Sequence, residues 1–447
     1  MPGMVQSNGP AGEAVVATTS QAVGHVRWTV VICTFIVAAV SYLDRNNISI
    51  AASSVQKEFG LSNVQLGTLF SAFVTGYALM QPFAGRIADR WGASRCIGVA
   101  ILWWSLFTAL LPTVPSSIPG ALFVLVLVRL LLGIGEAVIF PASNRLIASW
   151  IPSRERGLAN GLIFAGVGVG GAVAPPLITY MMLYHNWRWA FWLCALVGLA
   201  AWVLWKLVAR NTPEEHRAVE SAERAYIGAG IPANTLATEH SARWHDVIAD
   251  RQVLVLTLSY FCYGYVAYIF FTWFFKYLSD VRGLNLKATA LYATLPFVAM
   301  ALASSLGGLL SDKLMGLIGK RAARCGVASI SLLAASIFVW TATQVADARI
   351  AALVLAGGAG ALYFAQSAYW ALSADVGGAS AGLVSGFMNL GCQIGGIVTS
   401  SLTPVIARTL GWTASFAVAA VICLVGSALW LVVNPLHTLK PSTVQTR

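Results

Sequence analysis

The sequence predicts an all-α membrane protein with twelve transmembrane helices in two pseudo-symmetric six-helix bundles. Three observations carry that prediction. Of the 447 residues, 58% are hydrophobic and only 10% are charged, against roughly 25% charged in an ordinary soluble domain. Too few charges remain to cover a water-soluble core, so lipid is the main solvent. The apolar residues also gather into runs of about 20, the length at which a helix crosses a bilayer. Finally, the two halves of the chain repeat one another.

The predicted spans cover 28–52, 65–86, 96–113, 119–142, 157–182 and 188–208, then 252–278, 288–311, 322–344, 348–372, 378–406 and 411–434. The one long polar gap, 209–251, divides two bundles at 28–208 and 252–434, flanked by tails at 1–27 and 435–447. The first tail is small and polar, without the charged start and apolar core of a signal peptide, and reads as disordered. Gly170-Gly171, Trp187 and Phe191 return as Gly395-Gly396, Trp412 and Phe416, about 225 positions later. Gly85-x3-Asp89-Arg90 returns as Gly308-x3-Asp312-Lys313, about 223 later. Two groups at nearly one offset indicate an internal repeat. Parallel repeats joined by a loop are a transporter architecture, with the substrate site between the halves.

The net charge of +11 follows topology and does not point to nucleic acid. With the N-terminus inside, inner segments hold about nineteen of the 28 basic residues and outer segments about seven. Both termini and the central loop are therefore expected in the cytoplasm. The seven Cys are scattered in apolar runs without a CxxC pair, and read as small buried hydrophobes. The sequon Asn47-Ile48-Ser49 falls within a span and is discounted.

Four ionisable groups interrupt the spans: Asp44 and Arg45 in the first, Arg129 and Glu136 in the fourth. Each costs about 2.5–3.5 kcal/mol at mid-membrane on insertion scales, so each needs a partner, water or a function. Arg129 and Glu136, seven residues apart, share a helix face at a separation of about 10 Å. That is too far for a direct pair, but they can line one cavity. A purely structural set of ion pairs between spans one and four is the competing reading.

Gly85-Arg86-Ile87-Ala88-Asp89-Arg90-Trp91-Gly92-x2-Arg95 lies between spans two and three. This segment resembles the G-x3-D-R/K-x-G-x2-R/K signature of the major facilitator superfamily. The resemblance implies a gating motif of Gly85, Asp89, Arg90, Gly92 and Arg95. The second copy departs after Lys313, where no Gly stands at the matching place. Tyr42-Leu43-Asp44-Arg45-x-Asn47, Arg129-x3-Gly133-x-Gly135-Glu136-Ala137-x3-Pro141, Trp150-x-Pro152-x2-Glu155-Arg156 and Pro213-Glu214-Glu215-His216 resemble that superfamily's anion:cation symporter family. That likeness covers nearly the whole chain. It implies organic-anion transport, often proton-driven, as in sugar-acid transporters.

On this reading Arg45 and Arg129 bind the anion, and Asp44 and Glu136 couple protons. By resemblance to the sugar-acid members, the run Gln366-Ser367-Ala368-Tyr369-Trp370 at the end of span ten and Asn389 and Gln393 in span eleven offer hydroxyl-binding groups, with Ser367, Tyr369 and Trp370 assigned from the run. Tyr42 and Tyr77 do the same from the first half. Where galactonate transporters place a Gln in span five, this chain has Val167. The expected function is proton-coupled symport of a small organic anion, a sugar acid such as an aldonate, aldarate or hexuronate. The expected setting is a bacterial inner membrane, as a monomer with neither cofactor nor metal. An exporter of drugs or lipids is the alternative, and it needs a wide apolar cavity without two inward arginines. A sensor without net transport needs a signalling domain, and a membrane enzyme needs a metal-ligand pair or nucleophile elbow, and no such motif is seen.

Overall fold

The computed structural model describes residues 24–152, 155–230, 244–377, 381–437 and 439. Among these the elements are helical. Span one is α1 (Val26–Ile50), span two α2 (Asn63–Trp91) and span three α3 (Ala93–Leu110). Span four is two helices, α4 (Ala121–Glu136) and α5 (Ile139–Trp150), followed by α6 (Arg156–Tyr184) and α7 (Trp187–Val208). The second half runs α8 (Arg251–Thr272), α9 (Leu286–Ile318), α10 (Lys320–Gln344), α11 (Ala348–Phe364), α12 (Gln366–Gly377), α13 (Ala381–Leu410) and α14 (Trp412–Leu429). Eleven of the spans are long and apolar enough to cross a membrane. The remaining one, α2, is long enough at 29 residues but carries Gln65, Thr68, Ser71, Thr75 and Gln81. Leu196, Leu302, Ile330 and Leu431 lie on the outside at 62–70% exposure, an apolar surface that only lipid solvates. The chain is an integral, multi-pass membrane protein.

Side chains start several helices as the physics of unpaired N–H groups requires. Ser62 and Gln65 form a reciprocal capping box at α2, and Asn186, Asp250, Asn285 and Asp347 cap α7, α8, α9 and α11. Three of the predicted spans, the fourth, the seventh at Trp273 and the tenth, are broken, which a hydropathy window does not detect. Pro141 has no N–H to offer the carbonyl of Ala137, so span four pauses after Glu136. Span ten pauses at Ala365, whose N–H turns back to Leu362 (3.2 Å).

The pseudo-symmetry is visible at glycine contacts. In the first half α6 packs on α1, and a Cβ on Gly166 would stand 2.6 Å from the Phe35 carbonyl oxygen. In the second half α13 packs on α8, and a Cβ on Gly391 would stand 2.6 Å from the Thr257 carbonyl oxygen. Only glycine admits such backbone approach. The halves meet where α6 touches α9 and α13 touches α2.

The turn between α2 and α3 is made by Gly92 at φ +87°, and the turn between α9 and α10 by Gly319 at φ +81°. The second copy of the glycine-rich motif therefore keeps its turn glycine, displaced to 319, where the sequence pattern placed none. Gly92 also packs on Asn211, whose side chain accepts from the Ser94 N–H (2.9 Å). Arg90 and Arg95 are exposed. The packing of Gly85 and the side chain of Asp89 lie outside what is described.

The two faces of the bundle differ. At the face where α1 begins and α14 ends, the central segment docks on the first half through a helix at Ser221–Gly230. Its Glu223, fully buried, accepts from the backbone N–H groups of Val26 (3.3 Å) and Arg27 (3.1 Å) and from the Arg27 guanidinium (3.3 Å). Arg27 also bonds Glu155 (2.9 Å), which accepts from the Tyr226 hydroxyl (2.8 Å). That guanidinium holds the Glu155 carboxyl below its usual range. At the opposite face the halves are latched. Ser53, in the short helix Ala52–Phe59, donates to both oxygens of Asp280 (3.0 Å each), which is paired with Lys276. Phe70 packs edge-on against Trp273 (5.0 Å between ring centroids).

Candidate functional site

A cavity of about 60 Å³ lies between the halves. The first half contributes Tyr42 and Arg45 from α1, Tyr77 from α2, Phe140 from α5 and Phe164 from α6. The second contributes Tyr260, Tyr263, Tyr268 and Phe271 from α8, Tyr363 from α11, Gln366 and Trp370 from α12, and Asn389, Cys392 and Gln393 from α13. The charge on this wall is Arg45, from the first half. The second half supplies neutral hydroxyl, amide and indole groups.

Arg45 is 6% exposed. Its Nη2 donates to Glu136 Oε2 (3.2 Å) and its Nη1 to the Tyr42 hydroxyl (3.2 Å). Its Nε, also buried, has no partner. The guanidinium lies over the rings of Tyr42 (4.4 Å), Phe73 (4.9 Å) and Tyr77 (4.9 Å). Glu136 accepts additionally from Ser41 on α1. It ends α4 at the break, which puts it against α1 and not along a continuous rod.

Arg129 is not on the cavity wall. Its guanidinium packs on the other side chain it shares with Arg45, the Phe73 ring (4.8 Å), and its buried Nε has no partner. Asp44 also faces elsewhere. Its carboxylate accepts from Thr108 on α3 (2.5 Å) and from Asn47 (3.0 Å). Adjacent residues on a helix point about 100° apart, so Asp44 and Arg45 serve different neighbours.

The run Gln366–Trp370 splits the same way. Gln366 and Trp370, four apart, face the cavity and share the Tyr260 hydroxyl (3.0 and 3.3 Å). Two residues proposed from sequence do not. Tyr369 turns into the second half, bonded to Ser259 (2.7 Å) and packed on Trp430 (4.9 Å). Ser367 is half-buried, its hydroxyl turned toward Gly308 on α9, buried and unpaired. Helical rotation separates what adjacency in sequence grouped. Gln393 accepts from the Tyr268 hydroxyl (2.6 Å), and Asn389 stands one turn away on the same helix.

Sequence reasoning missed Tyr260, Tyr263, Tyr268 and Tyr363. A signal was present in the repeat: Tyr42 and Tyr268 are 226 apart, as are Arg45 and Phe271 and Phe140 and Gln366. All six line the cavity. The seven cysteines are all buried and unpaired.

Residues 34–400 match the family model of the Major Facilitator Superfamily. The chain is 33% identical over 401 residues to the probable sulfoacetate transporter of Cupriavidus necator, covering 89% of this chain and 92% of that one. It is 29% identical over 392 residues to the hexuronate transporter of Bacillus subtilis, covering 86% and 88%. Among solved structures, the D-xylose-proton symporter superposes with a TM-score of 0.74 at 14% identity, covering 93% of this chain and 99% of that one, a likeness of fold alone.

Proposed function

This chain belongs to the Major Facilitator Superfamily, and from that premise we propose that it is a proton-coupled symporter of a small organic anion, a sugar acid by preference. The observation that carries this reading is Arg45. A guanidinium buried on a cavity wall with an N–H left unpaired is costly unless an anion uses it. Its planar fork stays charged at any relevant pH and fits a carboxylate. The names of the sulfoacetate and hexuronate relatives, both anions, support the same cargo class.

Glu136 supplies the coupling. In the empty carrier Glu136 is paired with Arg45. A substrate carboxylate competes with Glu136 for that guanidinium, and a proton delivered to Glu136 frees the guanidinium for the substrate. Anion and proton then favour each other's binding by the same free energy, as linkage requires. Arg129 and Asp44 lie behind the wall and tune it through Phe73 and α3.

The basic residues of the α2–α3 and central segments support a cytoplasmic placement of the terminal face in a bacterial inner membrane. The latch at Ser53 and Asp280 then closes the outer gate, and the Gly85–Arg95 motif works the inner one. An exporter of large apolar molecules fits poorly with a charged anchor in a small cavity. The test is uptake into proteoliposomes of radiolabelled sugar acids, dicarboxylates and sulfoacetate, with and without an imposed pH gradient. Accumulation of an anion driven by the gradient, and lost in Arg45→Ala, is expected. Uptake of neutral or cationic solutes in its place overturns the reading.

A further inference from the structure

On the second-half wall the Tyr263 hydroxyl is buried and makes no hydrogen bond within 3.5 Å. The Tyr268 hydroxyl is used by Gln393 (2.6 Å), and the Tyr260 hydroxyl by Gln366 and Trp370 (3.0 and 3.3 Å). The Tyr263 hydroxyl, on a residue 2% exposed, has no hydrogen-bond partner. Its ring is held between Tyr260 (5.0 Å) and Tyr369 (5.6 Å), so its direction is fixed by packing. Tyr363 stands beside it on the wall, ring centroids 5.8 Å apart, and its hydroxyl is the neighbour that interacts weakly with that of Tyr263 in the empty site, a contact with which a ligand hydroxyl would compete. A buried hydroxyl without a protein partner calls for a water or a ligand group to pair it, and among the described residues Tyr263 holds the one on the cavity wall.

Position along α8 says which part of a ligand that is. Phe271 touches Tyr42 (5.6 Å), and Tyr42 carries the Arg45 guanidinium (4.4 Å), so the anchor lies at the level of Phe271. Tyr263 is eight residues earlier, about 12 Å along the axis. Removing a hydrogen bond of about 3 Å at each end leaves about 6 Å, the extent of a five- or six-carbon chain. A two-carbon anion held by Arg45 does not touch Tyr263.

We propose that Tyr263 is a specificity-determining residue that reads a hydroxyl at the far end of the substrate, selecting polyhydroxylated acids of five or six carbons over short or unhydroxylated ones. This rests on Arg45 as the carboxylate anchor. Selection works by default: an acid lacking the hydroxyl enters the same space and leaves the buried Tyr263 group unpaired. A site built to pair a hydroxyl rejects the analogue that lacks it far more strongly than an apolar pocket rejects a size change.

The test uses the full chain in proteoliposomes. D-gluconate and D-galactonate, six-carbon acids with hydroxyls, are compared with hexanoate, six carbons without, and with sulfoacetate, as competitors of labelled aldonate uptake. At least one aldonate is expected to compete tenfold or more better than hexanoate. In Tyr263→Phe that ratio is expected to fall about tenfold, the loss falling on the aldonate and not on hexanoate, with Tyr363→Phe giving a smaller fall. Trapping by detergent-solubilised binding and an unchanged melting profile show that Tyr263→Phe is folded. A ratio unchanged in Tyr263→Phe, or equal competition by aldonate and hexanoate in the unsubstituted protein, overturns the assignment while leaving Arg45 intact. Absence of any organic-anion uptake, or uptake indifferent to Arg45→Ala, overturns the anchor and this assignment with it.

Discussion

Arg45 and Glu136 meet at the contact of α1 with the broken fourth span, guanidinium Nη2 3.2 Å from carboxylate Oε2, while Arg129, seven residues earlier on the same helix, pairs with no carboxylate among the described residues. The break after Glu136 explains the difference. It leaves the carboxylate at a helix end, against Ser41 and Arg45 of α1. Two turns away, Arg129 faces Phe73.

Glu136→Gln keeps the shape and the hydrogen bond to Arg45 but holds no transferable proton. Gradient-driven accumulation in proteoliposomes is expected to fall to background, while exchange of internal for external substrate persists. Accumulation that survives under an imposed pH gradient places the proton site elsewhere. Glu136→Ala is expected to be harsher, since breaking a buried pair costs about 3–5 kcal/mol of stability.

Phe73 is the ring under both guanidinium groups, 4.9 Å from Arg45 and 4.8 Å from Arg129. A desolvated cation–π contact contributes about 2 kcal/mol. Phe73→Leu keeps an apolar side chain and removes both contacts. Substrate affinity is expected to fall roughly tenfold, with a lower melting temperature, since about 1.4 kcal/mol is a factor of ten. Binding titrations that match the unsubstituted protein would show that the ring does not support Arg45.

The Ser53–Asp280–Lys276 latch joins the halves at the face opposite the start of α1. Asp280→Asn is expected to loosen it, so that a cysteine introduced as Ser49→Cys, on the path toward that face, is labelled faster by an impermeant maleimide. Burial pushes the Asp280 carboxyl up, but hydrogen bonds from Lys276, Ser279 and Ser53 outweigh burial and hold it below its usual range. Its contribution is therefore present above the unbonded value and lost only as pH falls through the depressed one. Labelling in the unsubstituted protein is expected to stay flat from pH 8 to about pH 5, well above the reference value of about 3.9. A rise already at pH 6 would assign the latch to another group.

Glu223 ties the central segment to the start of α1. Glu223→Ala leaves Arg27 with Glu155 and the Gly24 carbonyl and two backbone N–H groups without their acceptor. Melting temperature is expected to fall, by a free energy on the order of 3 kcal/mol. Because Arg27 holds Glu155 ionised, that part of the tie is present at neutral pH and is lost as pH falls through the lowered value. A melting temperature unaffected by Glu223→Ala would show the segment to be held by Val219 and Ile227 packing instead.

Much of the fold was legible because hydropathy, length and repeat offset are linear properties of the chain. Span limits agree with the helices to within a few residues in most cases. What was not legible depends on rotation about a helix. Ser367 and Tyr369 sit beside Trp370 in sequence but turn away from it in space. Asp44 adjoins Arg45 yet bonds to Thr108. The tyrosines of α8 read as ordinary membrane aromatics until the repeat is aligned, when Tyr268 falls opposite Tyr42. The breaks at Ala137 and Ala365 were also hidden, since a hydropathy average runs smoothly across a missing hydrogen bond.

The ionisable groups of the first half, Asp44, Arg45, Arg129 and Glu136, have an electrical consequence. Two guanidinium groups and two carboxylates sum to zero. Admitting one monoanion and one proton leaves the sum at zero. Membrane voltage acts with about 2.3 kcal/mol per elementary charge per 100 mV, and it finds no net charge to move in either the empty or the loaded form. On the proposed proton symport, import of a monocarboxylate with one proton would be electroneutral, driven by the pH difference and the substrate's own gradient without help from voltage. On the same reading a dianion carried with one proton leaves one negative charge uncompensated, and an interior-negative voltage resists its entry.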